Sequence, residues 1–562
     1  MAASPSPPST APIDPVLRNT LRYTLSAKEY KTLHEYLISR SPQTVRRKAP
    51  QPARYNAIVQ SKDEFNAAAI RASLRVFIAT QTGLTIWDLI TSSLFARGKA
   101  QKRRVKTAVF RSPNFRLSLS LSLILLLHRI LYRFFSRLRV NLLTKDAAPF
   151  RRRNPRISKS LTSHLTPAVG ASLAGLALGV YPADQLRVTV AIYFATRAAE
   201  FTYNALENNG WFRRKPFWVG SWMLMPFATG QLLHAFVFDR DCFPKAYGDF
   251  ILNHTPNYVQ RRPDSYPAKL SWPSHDTIVD SLAEISRLKW PPFVSPILFP
   301  NNPSPLPATL TPISPVASPA HPSLTSLSCA LLHPNSPSCL ATYLTFYLRA
   351  FPPMAKFFAL FFSLLSLPRY KSFFVEPIHE LKSLAIRTLR MSAFLSKWFF
   401  RAIFPFLRLP PNAYPNLANT DSEIIKASAI GTAWGSICFF THYFPRTSLP
   451  QARWFWGGFA AGLWALLERK NGRGNFLYSA RMSIDSFWKV GKKRGWWKGF
   501  RGGDVWVFVL GLGVLNAVYE VDKEAIRGGG VRIGVGWLRG EELFKKKDHT
   551  LPEGGEATKK EQ

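Results

Sequence analysis

Residues 174–179 read AGLALG and residues 460–465 read AAGLWA, and the segments after each are alike. After the first come VAIYFATRAAEFTYNAL (190–206), a basic turn, and FWVGSWMLMPFATGQLLHAFVFD, which ends at Asp239. After the second come FLYSARMSIDSFWKV (476–490), the basic turn KKRGWWKGFRG (492–502) and GDVWVFVLGLGVLNAVYEVD, which ends at Asp522. Both stretches therefore run in one order: a small-residue apolar helix, a helix with an internal Arg, a basic turn, an apolar helix, an Asp. A repeat of that size predicts two related halves, and its apolar helices predict a membrane setting. The fold class expected is all-α: a polytopic helical membrane protein built of two pseudo-repeats.

The likeness extends backwards, because LKSLAIRTLRMSAFLSKWFFRAIFPFLRL (381–409) stands where residues 105–139 stand in the first half. The organisation expected is a polar and amphipathic region over 1–65, repeats over 66–240 and 340–522, a Pro-rich extramembrane loop and linker over 241–339, and a charged, disordered tail over 523–562. The first 15 residues, rich in Pro and Ser, are expected to be disordered. Residues 16–40 space Leu17, Leu21, Leu25, Tyr30, Leu33 and Leu37 as one amphipathic helix. The later part of the Pro-rich region is expected to be a flexible linker.

Composition agrees with a membrane chain. The 562 residues are 46% hydrophobic and 14% aromatic, with a formal charge of +41. Such a charge could suit nucleic acid or anionic lipid. Its placement decides, since clusters such as RRR at 151–153 flank apolar segments, and no nucleic-acid partner is expected. Candidate spans are 74–95, 116–135, 165–181, 188–206, 217–238, 340–367, 386–407, 424–444, 454–467, 475–489 and 504–520, of which 116–135 and 217–238 are the clearest. Basic clusters lie on both sides of several of these, so orientation stays open. The N-terminus lacks the layout of a secretory signal and the Arg of a mitochondrial presequence, and the last residues are not a peroxisomal matrix tripeptide.

Small residues four apart let two helices approach closely. Gly175 and Gly179, Gly431 and Gly435, and Gly458 and Gly462 are spaced that way, with Ala171, Gly513 and Ala517 continuing the theme. Helix packing within the subunit is their expected role. Arg197 and Glu200 are three apart, and Arg481 and Asp485 four apart, so each pair shares a helix face. A lone charge in hydrocarbon costs about 2.5–3.5 kcal/mol, so these are expected as intramembrane ion pairs. The sharper alternative is a polar cavity between the halves, lined by Arg197 and Arg481, that accepts a lipid headgroup or an anionic metabolite.

Four cysteines, Cys242, Cys329, Cys339 and Cys438, make no disulfide framework and predict reduced thiols. Cys329, His333 and Cys339, with His321 nearby, depart from standard zinc spacing. No metal or cofactor is expected, these three being the candidate ligands if one binds. His234 and Asp239 match the short His-x4-Asp signature of glycerolipid acyltransferases, without a companion phosphate-binding block and without a His in the second repeat. Catalysis is therefore not expected. GLGVLN (511–516) lacks the third glycine of a dinucleotide fingerprint, and the sequon at Asn253 is followed by Thr255 and then Pro256, against glycosylation.

Four blocks carry a family resemblance: residues 14–40, LTPAVGASLAGLALGVYPADQLRV (165–188), GSWMLMPFATGQLLHAFVFDRDCFP (220–244) and SCALLHPNSPSC (328–339). They resemble fungal members of the transmembrane protein 135 family, which is similar to a small peroxisomal membrane protein and, more distantly, to Tim-type translocase channels. In animal members the blocks similar to 328–339 and 476–495 lie in the first half, so this chain carries the halves in the opposite order. The resemblance implies a multi-pass protein of the peroxisomal membrane, or secondly the mitochondrial one, that handles lipid or metabolites. It implies no catalytic residue. Its partners would be the bilayer, a lipid or small-metabolite ligand, and copies of itself or other organelle membrane proteins. A non-transporting scaffold in organelle dynamics is the alternative, and a lipid acyltransferase a remote one.

Overall fold

A computed structural model describes chiefly residues 14–60, 64–95, 112–346, 421–469 and 473–541, with short gaps between 213 and 305. The expected disorder of residues 1–13, most of the candidate spans 340–367 and 386–407, and residues 542–562 of the tail lie outside the described residues. The first part of that tail, expected to be disordered, is instead ordered, with a helix over Gly529–Arg539 and with Ala525, Ile526 and Val535 buried in a core cluster. Among the described residues the chain is helical, the sole pairing of extended backbone being one bridge between Pro292 and Ser326.

The chain forms two compact units, one from Met1–Arg214 with Gly499–Gln562, the other from Lys215–Lys498. The first contains α1 (Pro15–Thr24), α2 (Ala27–Leu33), α3 (Glu64–Phe95), α4 (Pro113–Leu143), α5 (Thr166–Ala171) and α6 (Gln185–Asn208). The second holds α7 (Leu224–Phe238), α8 (His275–Arg287), α9 (Leu327–Leu332), α10 (Asp421–Tyr443), α11 (Ala452–Gly462) and α12 (Arg473–Lys493). The chain then returns to the first unit with α13 (Gly503–Val521) and α14 (Gly529–Arg539). The units do not coincide with the sequence halves. The apolar helix that closes the first half, α7, belongs to the second unit, and α13, which closes the second half, belongs to the first.

The single amphipathic helix expected over 16–40 is broken. Ser26 accepts a hydrogen bond from the Glu29 N–H while Glu29 accepts one from the Ser26 N–H, a reciprocal cap that starts α2 afresh. Arg75 of α3 then grips Glu29 at 2.6 and 2.8 Å. Burial pushes the Glu29 carboxyl up, but Arg75 and the Ser26 donors outweigh it and hold it at about 2.

In the first unit α13 lies against α6 and against the small-residue segment, where α5 continues as the 3-10 turn Ser172–Val180. Side chains at i and i+3 eclipse in such a turn, and Ala174 and Ala177 are small enough to allow it. A Cβ on Gly175 would sit 3.0 Å from Phe508, and one on Gly511 would sit 3.0 Å from the Ala195 nitrogen. The same series of shapes recurs in the second unit: α11 continues as the 3-10 turn Leu463–Glu468, α12 comes next, and α7 is the apolar helix packed on both. There a Cβ on Gly458 would run into the Thr229 carbonyl and lie 2.9 Å from the Gly230 Cα, and one on Gly462 would run into Pro226 and Thr229. The Thr229 hydroxyl donates to the Gly458 carbonyl at 2.7 Å.

Two described helices, α4 and α13, are long and apolar enough to cross a membrane, and the bent pair Pro155–Thr162 and Thr166–Val180, folded by 84°, would make a third. The segment 217–238 is shorter than expected: the 15 residues of α7 extend about 22 Å against a hydrocarbon core of about 30 Å, and α7 is buried on most sides.

The Pro-rich region, expected as an ordered but irregular loop followed by a flexible linker, differs from expectation in its later part. Its described residues supply much of the second unit's core: Ile278, Val279, Leu282 and Ile285 of α8, then Trp290, Leu310, Ile313, Leu327 and Leu331, packed with Trp434 and Trp454. Proline here shapes an irregular but buried path instead of a flexible linker.

Candidate metal centre

The core of the second unit brings four metal-ligating side chains together. Cys329 lies in α9, a short helix whose six residues are all buried. His333 ends it, its N–H donating to the Cys329 carbonyl at 2.9 Å. The next turn, closed by the Ser336 N–H donating to the His333 carbonyl at 3.1 Å, carries the chain round to Cys339. Cys438 comes from α10, about a hundred residues further on. One ligand atom from each of the four lies within 4.8 Å of the other three. Cys329 Sγ is 3.9 Å from Cys339 Sγ, and Cys339 Sγ is 3.3 Å from His333 Nε2.

The surroundings orient these atoms. His333 Nδ1 donates to the Ser336 carbonyl at 3.0 Å, which fixes the ring and leaves Nε2 to face the sulfurs. Cys329, His333 and Cys438 are buried, and Cys339 partly so. Burial depresses the His333 imidazole, but the Cys329 and Cys339 sulfurs outweigh it and raise it to about 10. The Cys339 thiol is held far below its usual range by hydrogen bonds with Cys329 and Cys438 and by His333. Tyr258, 1% exposed, stacks with Trp434, and its hydroxyl is buried without a hydrogen-bond partner. Burial and then the Cys438 sulfur push that hydroxyl's pKa up.

Of the expected ligands, Cys329, His333 and Cys339 are brought together, and His321 is instead tied to Ser323 at 2.8 Å. Cys438 is the member that sequence reasoning missed. One signal for it exists: in a helix with Trp434, Ile437 and Thr441 at core-facing spacing, Cys438 falls on the same stripe. All four cysteines are free.

The packing glycines and the charged pairs have other surroundings. A Cβ on Gly435 would sit 2.8 Å from the Tyr343 ring and 3.5 Å from the Tyr258 hydroxyl, so this glycine admits the aromatic wall of the cluster. Gly431 is buried on the same helix. A Cβ on Gly179 would meet only Val505, at an ordinary 3.9 Å. Arg197 pairs with Glu200 at 2.9 Å, and Asp485 pairs with Lys489 at 2.8 Å. Arg481 is half-buried on the turn preceding Asp485. Asp239 is engaged by Arg494 at 2.6 Å and Lys493 at 3.5 Å, while the His234 ring lies against Phe238. Both carboxylate oxygens therefore face cations, which is not the arrangement of an aspartate that orients a histidine base. An enclosed ion pair without a mark in the sequence joins them: Arg187 makes a bidentate bridge to Asp504, with Nη2–Oδ1 at 3.1 Å.

No protein family, curated protein or solved structure matches this chain.

Proposed function

We propose that this chain is a multi-pass helical membrane protein of the transmembrane protein 135 type, duplicated internally, that supports lipid or metabolite handling at the peroxisomal membrane. The observation that carries the membrane reading is the outward face of α13. Trp506, Leu510 and Val514, at helical spacing, are 48%, 66% and 42% exposed, while Phe508, Leu512, Leu515 and Tyr519 fill the core behind them. A helix apolar on both faces suits a lipid neighbour better than water. Leu121, Leu127, Ile130 and Phe134 of α4 are exposed in the same way.

Duplication is supported by the corresponding shapes of the two units and by their two aspartates. Each closing helix ends in an Asp that meets the end of its unit's long charged helix: Asp239 with Arg494, and Asp522 with Asn208 at 2.8 Å. For the lipid or anion contact we assign Arg197 and Arg481, both half-buried at corresponding places. Full-length tagged protein should resist alkaline carbonate extraction and coincide with peroxisomal markers. The double variant Arg197→Ala, Arg481→Ala should slow growth on fatty acids and alter organelle lipid content. Unchanged growth and lipid content would overturn the transport reading and leave a packing scaffold, in which case bulky substitutions at Gly175 and Gly458 would disturb partner recovery alone.

A further inference from the structure

Cys329, His333, Cys339 and Cys438 have the composition of a closed tetrahedral site: three thiols and one imidazole, with no carboxylate and no open position. We infer that this protein binds one zinc ion through these four side chains, and that the ion is structural. The inference goes beyond the membrane reading and does not depend on it.

Geometry supports it first. Zinc–sulfur bonds of about 2.3 Å at a tetrahedral angle set sulfur–sulfur edges of about 3.8 Å and sulfur–nitrogen edges of about 3.5 Å. The Cys329–Cys339 edge of 3.9 Å and the Cys339–His333 edge of 3.3 Å fit that tetrahedron. A disulfide would need the two sulfurs at about 2.05 Å, far inside the observed separation. The imidazole supports it second: Nδ1 is held by the Ser336 carbonyl, the usual outer partner of a metal-bound histidine, and Nε2 points into the cluster. The unpartnered Tyr258 hydroxyl supports it third. Three thiolates, one neutral imidazole and Zn²⁺ sum to a charge of −1, and an unused buried O–H dipole in the same core can orient towards that charge once the ion is bound.

Soft thiolates select zinc over magnesium or calcium, and a closed four-ligand set suits a structural ion, not a catalytic one. Its effect would be to fasten the turn after α9 to α10. Binding consumes no oxidant: three thiols lose their protons to solvent as the ion enters.

The test is elemental analysis of the full-length chain purified in detergent under reducing conditions without chelator. One zinc per chain is expected, and cobalt substitution should give thiolate charge-transfer and tetrahedral ligand-field bands. Cys438→Ala and Cys329→Ala should each lower zinc at least tenfold, while Cys242→Ala, whose thiol packs elsewhere against Ala235 and Val490, should keep it. His333→Cys preserves a four-ligand set and should retain zinc, which separates loss of a ligand from loss of the fold. Wild-type protein without zinc above buffer level, zinc retained by Cys438→Ala, or a Cys329–Cys339 disulfide in freshly purified protein would each overturn the inference.

Discussion

Replacing Gly462 by Ala adds one methyl group where α11 crosses α7, and the structure allows its cost to be worked out. The new Cβ would run into the Pro226 Cα and the Thr229 hydroxyl and lie 2.7 Å from the Pro226 nitrogen. Two of these three atoms are backbone, so rotamer change gives little relief. Ordinary contact lies at about 3.5–4.0 Å, so the helices must separate by about 1 Å. Overpacking of this kind costs about 1–3 kcal/mol. Separation also stretches the 2.7 Å bond from the Thr229 hydroxyl to the Gly458 carbonyl, a further loss of about 0.5–1.5 kcal/mol. Against these stands the gain of about 1 kcal/mol from replacing a helical glycine by alanine. The net is a destabilisation of about 0.5–3.5 kcal/mol, or a fall in Tm of roughly 1–14 °C. Gly83 in α3 supplies the control, because a Cβ there meets nothing within 4 Å. Tryptophan fluorescence of detergent-solubilised protein during heating would measure both. Gly83→Ala should melt at or above wild type and Gly462→Ala below it; equal melting of Gly462→Ala and wild type would refute close backbone contact.

The Arg187–Asp504 bridge has side chains only 9% and 15% exposed, so removing one partner strands a buried charge. Arg187→Ala or Asp504→Ala should each cost about 3–5 kcal/mol, while Arg187→Met with Asp504→Leu should recover most of it, read by the same melts. Glu29 titrates at about 2 in the fold and at about 4.3 when unfolded, so its folded value is depressed. The contribution is complete above about pH 4.3 and is lost as pH falls towards 2, after which the carboxyl is neutral in both states. Protease sensitivity of the α1–α2 region should rise across that window in wild type and be high throughout in Glu29→Gln, at neutral pH as well.

The helices are legible where one local signal dominates. The run of Leu and Ser over 116–135 predicts α4, and the small residues of 174–179 predict the segment on which α13 packs. Pairing between distant segments is not legible in the same way. Asp239 and Asp522 look equivalent in sequence, and each does meet the end of a charged helix, but the helix belongs to the other half of the chain. Periodicity records which face is apolar and not which helix covers it. The charged residues show the same limit. Arg197 and Arg481 stand out because carboxylates follow at helical spacing, whereas Arg187, whose partner lies 317 residues away, has no local mark. Cys438 was missed for that reason too.

The Pro-rich region shows how far order can depend on such distant partners. Lys289 and Trp290 both adopt φ of 58°, a left-handed backbone that costs L-residues about 1–2 kcal/mol each. Locally the Lys289 and Trp290 N–H groups donate to the Ser286 and Ile285 carbonyls at 3.2 and 2.9 Å, which closes the end of α8, and the prolines at 291 and 292 prevent a helix from continuing. Further compensation comes from a distant segment. Trp290 is 1% exposed, packs beside Trp454, and donates its indole N–H to the Pro450 carbonyl at 2.9 Å. The Arg453 guanidinium lies 5.3 Å from its ring. Arg453 is itself buried, and its Nη2 and Nε donate to the Pro445 and Ser448 carbonyls at 2.5 and 3.2 Å, in a turn that contains Leu449 at φ 48°. Two strained turns about 160 residues apart thus hold one another through one indole and one guanidinium. Burying a side chain as large as Trp290 contributes roughly 3 kcal/mol or more, enough to offset the backbone strain at 289 and 290. Composition alone classes such a segment as linker, because the residues that stabilise it are in another part of the chain.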